Sequence, residues 1–170
     1  MHALSPGDML HVQGPLPKLA YRPNAWKHIG LIAGGTGITP CLQVVKEALS
    51  RPGEDRTLLT LVYCSQTPSD IILKEELDDL AARHRNFAVL YKVDADPEGG
   101  WAGGAVGHVT REDVAALLPA PGSERALVAV CGPPGMMAAV CGDKAPDKSQ
   151  GPLTGLLAGM GYAPEEVYKF

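Results

Sequence analysis

Apolar residues along this chain come in two arrangements that take turns. Short unbroken runs at His28–Ala33 (HIGLIA), Thr57–Tyr63 (TLLTLVY), Asn86–Val93 and Ala126–Val130 read as buried strands. Between them the apolar positions recur every three or four residues, as on one face of a helix. Ile38–Ser50 carries Leu42, Val45 and Leu49 on such a face, and Arg51-Pro52-Gly53 ends it. Asp70 precedes a second helix reaching about Arg85, with Ile72, Leu73, Leu77 and Leu80 turned inward. Thr110 reads as the N-cap of a short helix, Arg111–Leu118, with Asp113 at its third position. A further helix follows Cys131-Gly132-Pro133-Pro134 and runs to about Val140. The polar stretch Gly142–Ser149 then breaks the pattern, a last helix covers roughly Gly151–Met160, and Val167–Phe170 closes the chain.

Alternation of apolar strands with helices predicts an α/β fold, a doubly wound parallel sheet with helices on both faces and right-handed crossovers. Such sheets bind ligands beyond the carboxyl ends of their strands, where the winding reverses. The two glycine-containing turns, after the first and fourth strands, lie at that edge. Residues 1–27 stand outside the alternation. Ser5-Pro6-Gly7-Asp8 is a turn, Met9–Gln13 (MLHVQ) alternates roughly as a strand would, and Gly14-Pro15 and Pro17 end it. The segment reads either as the last strand of another, antiparallel domain plus a linker, or as a plain arm lying on the sheet.

A length of 170 residues suits one domain with a small appendage. A chain of that size hides about 70% of its unfolded surface, enough for a core without metal or disulfide staples. The formal net charge of -4 argues against nucleic acid, which asks for a basic surface. No apolar run approaches the length of about 20 residues that spans a bilayer, so no membrane contact is expected of this chain. Cys41, Cys64, Cys131 and Cys141 show no Cys-x-x-Cys spacing. They predict free thiols and no metal site.

Chemistry concentrates in three turns. Gly34-Gly35-Thr36-Gly37-Ile38-Thr39-Pro40 joins the first strand to the first helix. Glycines there let the backbone turn tightly and come close to a ligand, Thr39 suits an N-cap, and Pro40 suits the first helical position. The helix start favours an anion by roughly 0.3–1 kcal/mol. This is a Gly-x-Gly-x-x-Pro variant of the dinucleotide fingerprint, and a tight turn with no ligand stays an equal reading. Asp70, after the second strand, either accepts hydrogen bonds from a ribose and repels a 2′-phosphate, or caps the next helix. Cys131-Gly132-Pro133-Pro134-Gly135-Met136 follows the fourth strand. No histidine is near in sequence to make Cys131 a thiolate, so it reads as a small polarizable wall for a planar ring or as a buried structural cysteine. His28, His84 and His108 read as surface or strand-end residues.

Together IAGGTGITP at 32–40, QTPSDIILKEELDDL at 66–80, CGPPGMM at 131–137 and the terminal VYKF resemble the NADH-binding domain of the NADH-cytochrome b5 reductase family, within the ferredoxin reductase-like group. The likeness runs from about Pro6 to Phe170. The stretch GDKAPDKSQGPLTGLL, 142–157, is most similar to the fungal-type and mitochondrial members. The resemblance implies a five-stranded parallel sheet preceded by an antiparallel flavin-binding barrel. Residues 1–27 would then be the end of that barrel and a linker, and 28–170 the NADH-binding domain. It implies cofactor contacts at Gly34, Gly35, Thr36, Gly37, Thr39, Pro40, Gln66, Asp70, Cys131, Gly132, Pro133, Met136 and Phe170. Thr36 and Cys131, nearest the nicotinamide, are the candidate catalytic residues. NADH would give a hydride to FAD, and electrons would pass to cytochrome b5 or a similar haem protein, in a protein facing the cytosol at the endoplasmic reticulum or a mitochondrial membrane. Two readings stand beside this one: the NADH/FAD module of a nitrate reductase-like flavoprotein, and a nucleotide-binding module without catalysis. The family's flavin-holding motifs, Arg-x-Tyr-Ser/Thr and a Gly-Lys-Met-Ser-like turn, do not occur in this sequence. The chain therefore carries the donor's site and lacks most of the acceptor's.

Overall fold

A computed structural model describes residues 5–14 and 17–170. Six strands form one sheet: β1 (His28–Gly34), β2 (Leu58–Ser65), β3 (Phe87–Val93), β4 (Ala105–Val106), β5 (Ala126–Cys131) and β6 (Val167–Lys169). Every neighbouring pair is parallel, in the order β4-β3-β2-β1-β5-β6. The sixth strand, against five expected, is the two-residue β4. It follows a loop that holds Gly99, Gly100, Gly103 and Gly104, and extends the edge beside β3 at Lys92 and Val93.

Side-chain alternation divides the core in two. Ile29, Leu31, Leu59, Leu61 and Tyr63 meet α1 (Ile38–Leu49) and α2 (Lys74–Arg83) on one face. Ile32, Val62, Val128 and Val130 meet α3 (Arg111–Leu117), α4 (Pro134–Val140) and α5 (Gly155–Gly159) on the other. The chain winds from β1 outward through β2 and β3, then crosses to the other side of β1 to make β5 and β6. The doubly wound α/β architecture is as expected, and its reversal point lies between β1 and β5. Helix α1 buries Ile38, Cys41, Leu42, Val45 and Leu49, the stripe its sequence spacing predicts. Each large apolar side chain so buried stabilises the fold by roughly 1.5–3 kcal/mol. Thr110 caps α3 as expected. Its hydroxyl accepts from the Asp113 N–H, and the Asp113 carboxylate accepts from the Thr110 N–H at 2.8 Å.

Three expectations need correction. Met9–Gln13 forms no strand, and Met9 and Val12 stand 84% and 82% exposed. An alternating pentapeptide has no ladder to join unless a partner strand is present. The second helix starts at Lys74 rather than directly after Asp70. Pro68–Asp70 is a separate 3-10 turn, and Leu73 adopts a left-handed backbone (φ 59°) that divides the two. That break buries Ile71 and leaves Ile72 and Leu73 exposed, where the helical spacing had turned Ile72 and Leu73 inward. The last helix shrinks from Gly151–Met160 to Gly155–Gly159: Gly151 (φ 65°) takes a left-handed backbone outside it, and Gly155 (φ 68°) takes another at its first residue.

Leu19, Tyr21 and Trp26 pack against the core face of α1 and α2. The Tyr21 hydroxyl donates to Asp55 at 2.5 Å, and burial together with that carboxylate pushes it up to about 12. No helix among the described residues is long and apolar enough to cross a membrane.

Candidate functional site: two turns that meet on one rim

The β1–α1 turn and the β5–α4 turn touch. Ala33 pairs with Cys131 in the β1–β5 ladder, so both turns leave the sheet at one level. A Cβ on Gly37 would lie 2.1 Å from the Cys131 carbonyl oxygen and 2.9 Å from the Gly132 nitrogen. Only glycine permits this approach. Gly35 differs: its φ is 51° and its Cβ direction is open. It serves the turn, and Gly37 serves the contact. Gly34 and Gly132 lie under Met136, whose side chain would strike a Cβ on either. Gly34 also abuts the Pro133 ring. From behind, the Tyr63 hydroxyl donates to the Gly35 carbonyl at 3.2 Å and steadies the turn.

Between the turns lies a cavity of about 280 Å³ lined by Gly34, Gly35, Thr36, Gly37, Thr39, Pro40, Cys131, Gly132 and Pro133. All nine were singled out from sequence. Thr39 is not the helix cap, however. A 3-10 turn at Gly35–Gly37 runs straight into α1, so the cap position moves back to Gly37, and the Thr39 hydroxyl donates to the Thr36 carbonyl at 3.0 Å. Pro40 is accordingly the third helical residue, still within the first turn, where a missing N–H costs nothing. That first turn of α1 carries no acidic side chain.

Four predicted residues stand outside this cavity. Met136 packs against Gly34 and Gly132, two glycines of that lining. Phe170 follows β6, where its N–H donates to the Val130 carbonyl at 3.0 Å, one strand beyond Cys131 on the same face. Gln66 and Asp70 lie at the ends of β2 and of the 3-10 turn after it. The Asp70 carboxylate accepts from the Thr67 N–H at 3.0 Å and from the Thr67 hydroxyl at 2.7 Å. It caps its own short turn, not α2.

A second hollow, of about 240 Å³, opens beside Asp70. Thr67, Pro68, Ser69, Asp96, Pro97, Glu98, Gly99, Gly100 and Trp101 line it. None of the motifs singled out from sequence includes residues 96–101 of this loop. The available signal was an acidic residue and a tryptophan five positions apart, because the Asp96 carboxylate accepts from the Trp101 N–H at 2.9 Å and so sets the loop.

Burial pushes the Cys131 thiol above its ordinary range, and the charge of Lys144 opposes this only in part. Cys131 is therefore a neutral thiol at physiological pH. The same holds for Cys64 and Cys141, which burial raises to about 12 and about 11. His28 heads β1, with its Nε2 2.8 Å from the Thr60 hydroxyl, and His108 lies 3.2 Å from Asp94 on the surface.

The sequence profile of the oxidoreductase NAD-binding domain matches residues 31–142, which contain both turns. The chain belongs to that family. This NAD-binding domain is 48% identical to an NADH-cytochrome b5 reductase-like protein of Arabidopsis thaliana, over 99% of the chain and 50% of the relative. It is 44% identical to NADH-cytochrome b5 reductase 2 of Mycosarcoma maydis, over 100% of the chain and 48% of the relative. Among solved structures, the cytochrome b5 reductase domain of Ulva prolifera nitrate reductase superposes with a TM-score of 0.80 at 31% identity, over 99% of this chain and 63% of that one. The likeness expected from the motifs thus extends over the whole chain. The chain spans about half the length of the curated relatives it matches.

Proposed function

We propose that this chain binds NADH along the rim of its sheet and is the NADH-binding half of a flavin-dependent reductase of the cytochrome b5 reductase type. The observation that carries the reading is the contact between the two turns at Gly37 and Cys131, with a cavity opening between them at the reversal point of the winding. The pyrophosphate belongs over Gly35, Thr36 and Thr39, where a helix of twelve residues begins with no carboxylate in its first turn. The adenosine belongs toward the second hollow. There Asp70, Asp96 and Glu98 surround the ribose with negative charge, which suits a free 2′-hydroxyl and opposes a 2′-phosphate. Cys131, Gly132 and Pro133 remain for the nicotinamide, with Phe170 beyond them.

NADH bound on this rim would supply a hydride for a flavin acceptor, whose electrons would go on to cytochrome b5 or a similar haem protein. The chain's own part is to bind and orient. Thr36 and Cys131 present neutral groups to the ring, and the neutral thiol neither attacks nor titrates there. The stiff Cys131–Pro134 turn sets how near the ring can come, and distance at the reacting atoms governs such steps. Residues 1–27 serve as the end of the flavin barrel and its linker, with Tyr21 and Trp26 forming the seam against the domain of residues 28–170. The whole protein faces the cytosol at the endoplasmic reticulum or a mitochondrial membrane. The likeness to the nitrate reductase domain favours, as a second reading, the same module serving a nitrate reductase-like flavoprotein.

Calorimetry and absorption spectra of the purified chain test this. A colourless protein that binds NADH at micromolar affinity or weaker, and NADPH more weakly still, is expected. A yellow protein holding one FAD would mean the flavin site lies within these residues. Asp70→Ala should narrow the preference for NADH over NADPH, and an unchanged ratio removes Asp70 from the site.

A further inference from the structure

The polar stretch after α4 broke the sequence pattern and takes no part in either hollow. It is a compact loop whose ends meet: the Thr154 N–H donates to the Cys141 carbonyl at 3.2 Å. Left-handed glycines shape it at Gly142 and Gly151 (φ 80° and 65°). Its inner surface is spent on one residue, Lys169. Lys169 is 2% exposed, and it takes part in none of the ion pairs found among the described residues. Its ammonium donates instead to the carbonyls of Asp143 at 3.1 Å and Pro152 at 2.8 Å, one at each end of the loop. The Lys169 backbone faces the open edge of the sheet, and the Gln150 side chain fills the place of a missing strand. The Lys169 N–H donates to Gln150 Oε1 at 2.6 Å, and Gln150 Nε2 donates to the Lys169 carbonyl at 3.1 Å. Lys144 Nζ donates to the same carbonyl at 3.3 Å.

Covering a sheet edge requires no buried lysine, because a charged or proline residue on the edge suffices. What this arrangement adds is a fixed position for the residue after Lys169. Phe170 lies opposite Cys131 by register, since Val130 pairs with Lys169. It packs edge-on against Tyr168, with ring centroids 5.0 Å apart, on the face that carries Cys131. Lys144 reaches far enough toward that turn for its charge to act on the Cys131 thiol.

We propose that the loop of residues 142–152 is a clamp that grips Lys169 and thereby sets Phe170 at the nicotinamide end of the cavity, making Gln150 and Lys169 positioning residues for the ring. This rests on the dinucleotide reading of the site. In functional terms, the clamp matters to a ligand that carries a nicotinamide and not to one that ends at the ribose.

The test uses the whole chain, Gln150→Ala and Lys169→Met, with Lys169→Arg as the variant that keeps a donor. Amide hydrogen exchange and calorimetry with NADH and with ADP-ribose are the readouts. Exchange should quicken at Tyr168–Phe170 in Gln150→Ala and Lys169→Met while β1, β2 and α1 stay protected. Affinity for NADH should fall about fivefold, the scale of one ordinary hydrogen bond, with ADP-ribose within about twofold of the unsubstituted chain. Lys169→Arg should recover part of the loss. Unchanged exchange at Tyr168–Phe170, or equal losses for both ligands, overturns the clamp. If the unsubstituted chain binds neither ligand, the dinucleotide reading itself fails, whereas exchange still reports whether the loop holds the tail. Should Lys169→Met unfold, Gln150→Ala decides alone, since Gln150 is only half-buried.

Discussion

Glycine at position 37 does what no other residue can. Alanine there drives a methyl into the Cys131 carbonyl, so the two turns must part. Gly37→Ala should abolish measurable NADH binding and destabilise the domain by about 2 kcal/mol, the usual scale for a forced overpacking. Gly35→Ala, with open space but a φ of 51°, should cost only about 1 kcal/mol. Thermal melts of the two variants check the order, and a milder effect at Gly37 than at Gly35 would contradict the contact. Cys131 offers a second test. Its thiol is half-buried and raised, so alkylation by iodoacetamide should have a midpoint above the ordinary value of about 8.5. Bound NADH should slow it. Rapid reaction at neutral pH would point to a thiolate and to chemistry other than ring positioning.

Among the elements, α3 is tied to the sheet by a buried ion pair as well as by Val114 in the core. Lys92 on β3 donates to Asp113 at 2.5 Å, with side chains 5% and 15% exposed. Burial works to raise the Asp113 carboxyl, but the hydrogen bonds from Lys92 and the Thr110 N–H, with the charge of Lys92, outweigh it and hold it below the carboxylate range. Asp113→Ala leaves the lysine buried without a partner and removes half of the capping box, so a loss of about 3–5 kcal/mol in urea unfolding is expected. The sign with pH follows. A depressed carboxyl contributes its full stability above its unfolded value of about 3.9 and loses it as pH falls through the lower folded value. Asp55 and Asp78 are depressed as well, burial again opposed by their hydrogen bonds. Stability should hold to about pH 4 and fall below it, less steeply in Asp113→Ala. A loss of stability beginning near pH 6 would instead implicate histidine.

At the scale of the whole molecule, the α/β domain holds its core without the first described segment. Met9, Leu10 and Val12 are exposed apolar residues outside any helix or strand. Replacing all three with serine should leave the melting temperature within about 5 °C, since exposed positions rarely contribute more than about 0.5 kcal/mol each. A large fall would mean that the segment packs on this domain. Tyr21 and Trp26, in contrast, are part of the packed structure.

Much of this was legible in the chain itself. Strands β1, β2, β3 and β5 are nearly unbroken apolar runs, and a parallel sheet covered on both faces demands such runs. Helix α1 and the Thr110–Asp113 cap follow from periodicity and local hydrogen bonding, and the nine residues of the first cavity come from two short motifs. The parts that escaped depend on distant contacts. Leu73 breaks α2 because Ile71 finds a place in the core, and no local propensity contains that contact. The hollow beside Asp70 exists because a loop thirty residues further on folds back against it. Nothing in the sequence around Lys169 marks it as buried, and it is so because residues 142–152 wrap over the sheet edge. Local pattern determined the elements and the motifs in them; long-range packing decided which turns touch, because burial and close approach depend on residues far apart along the chain.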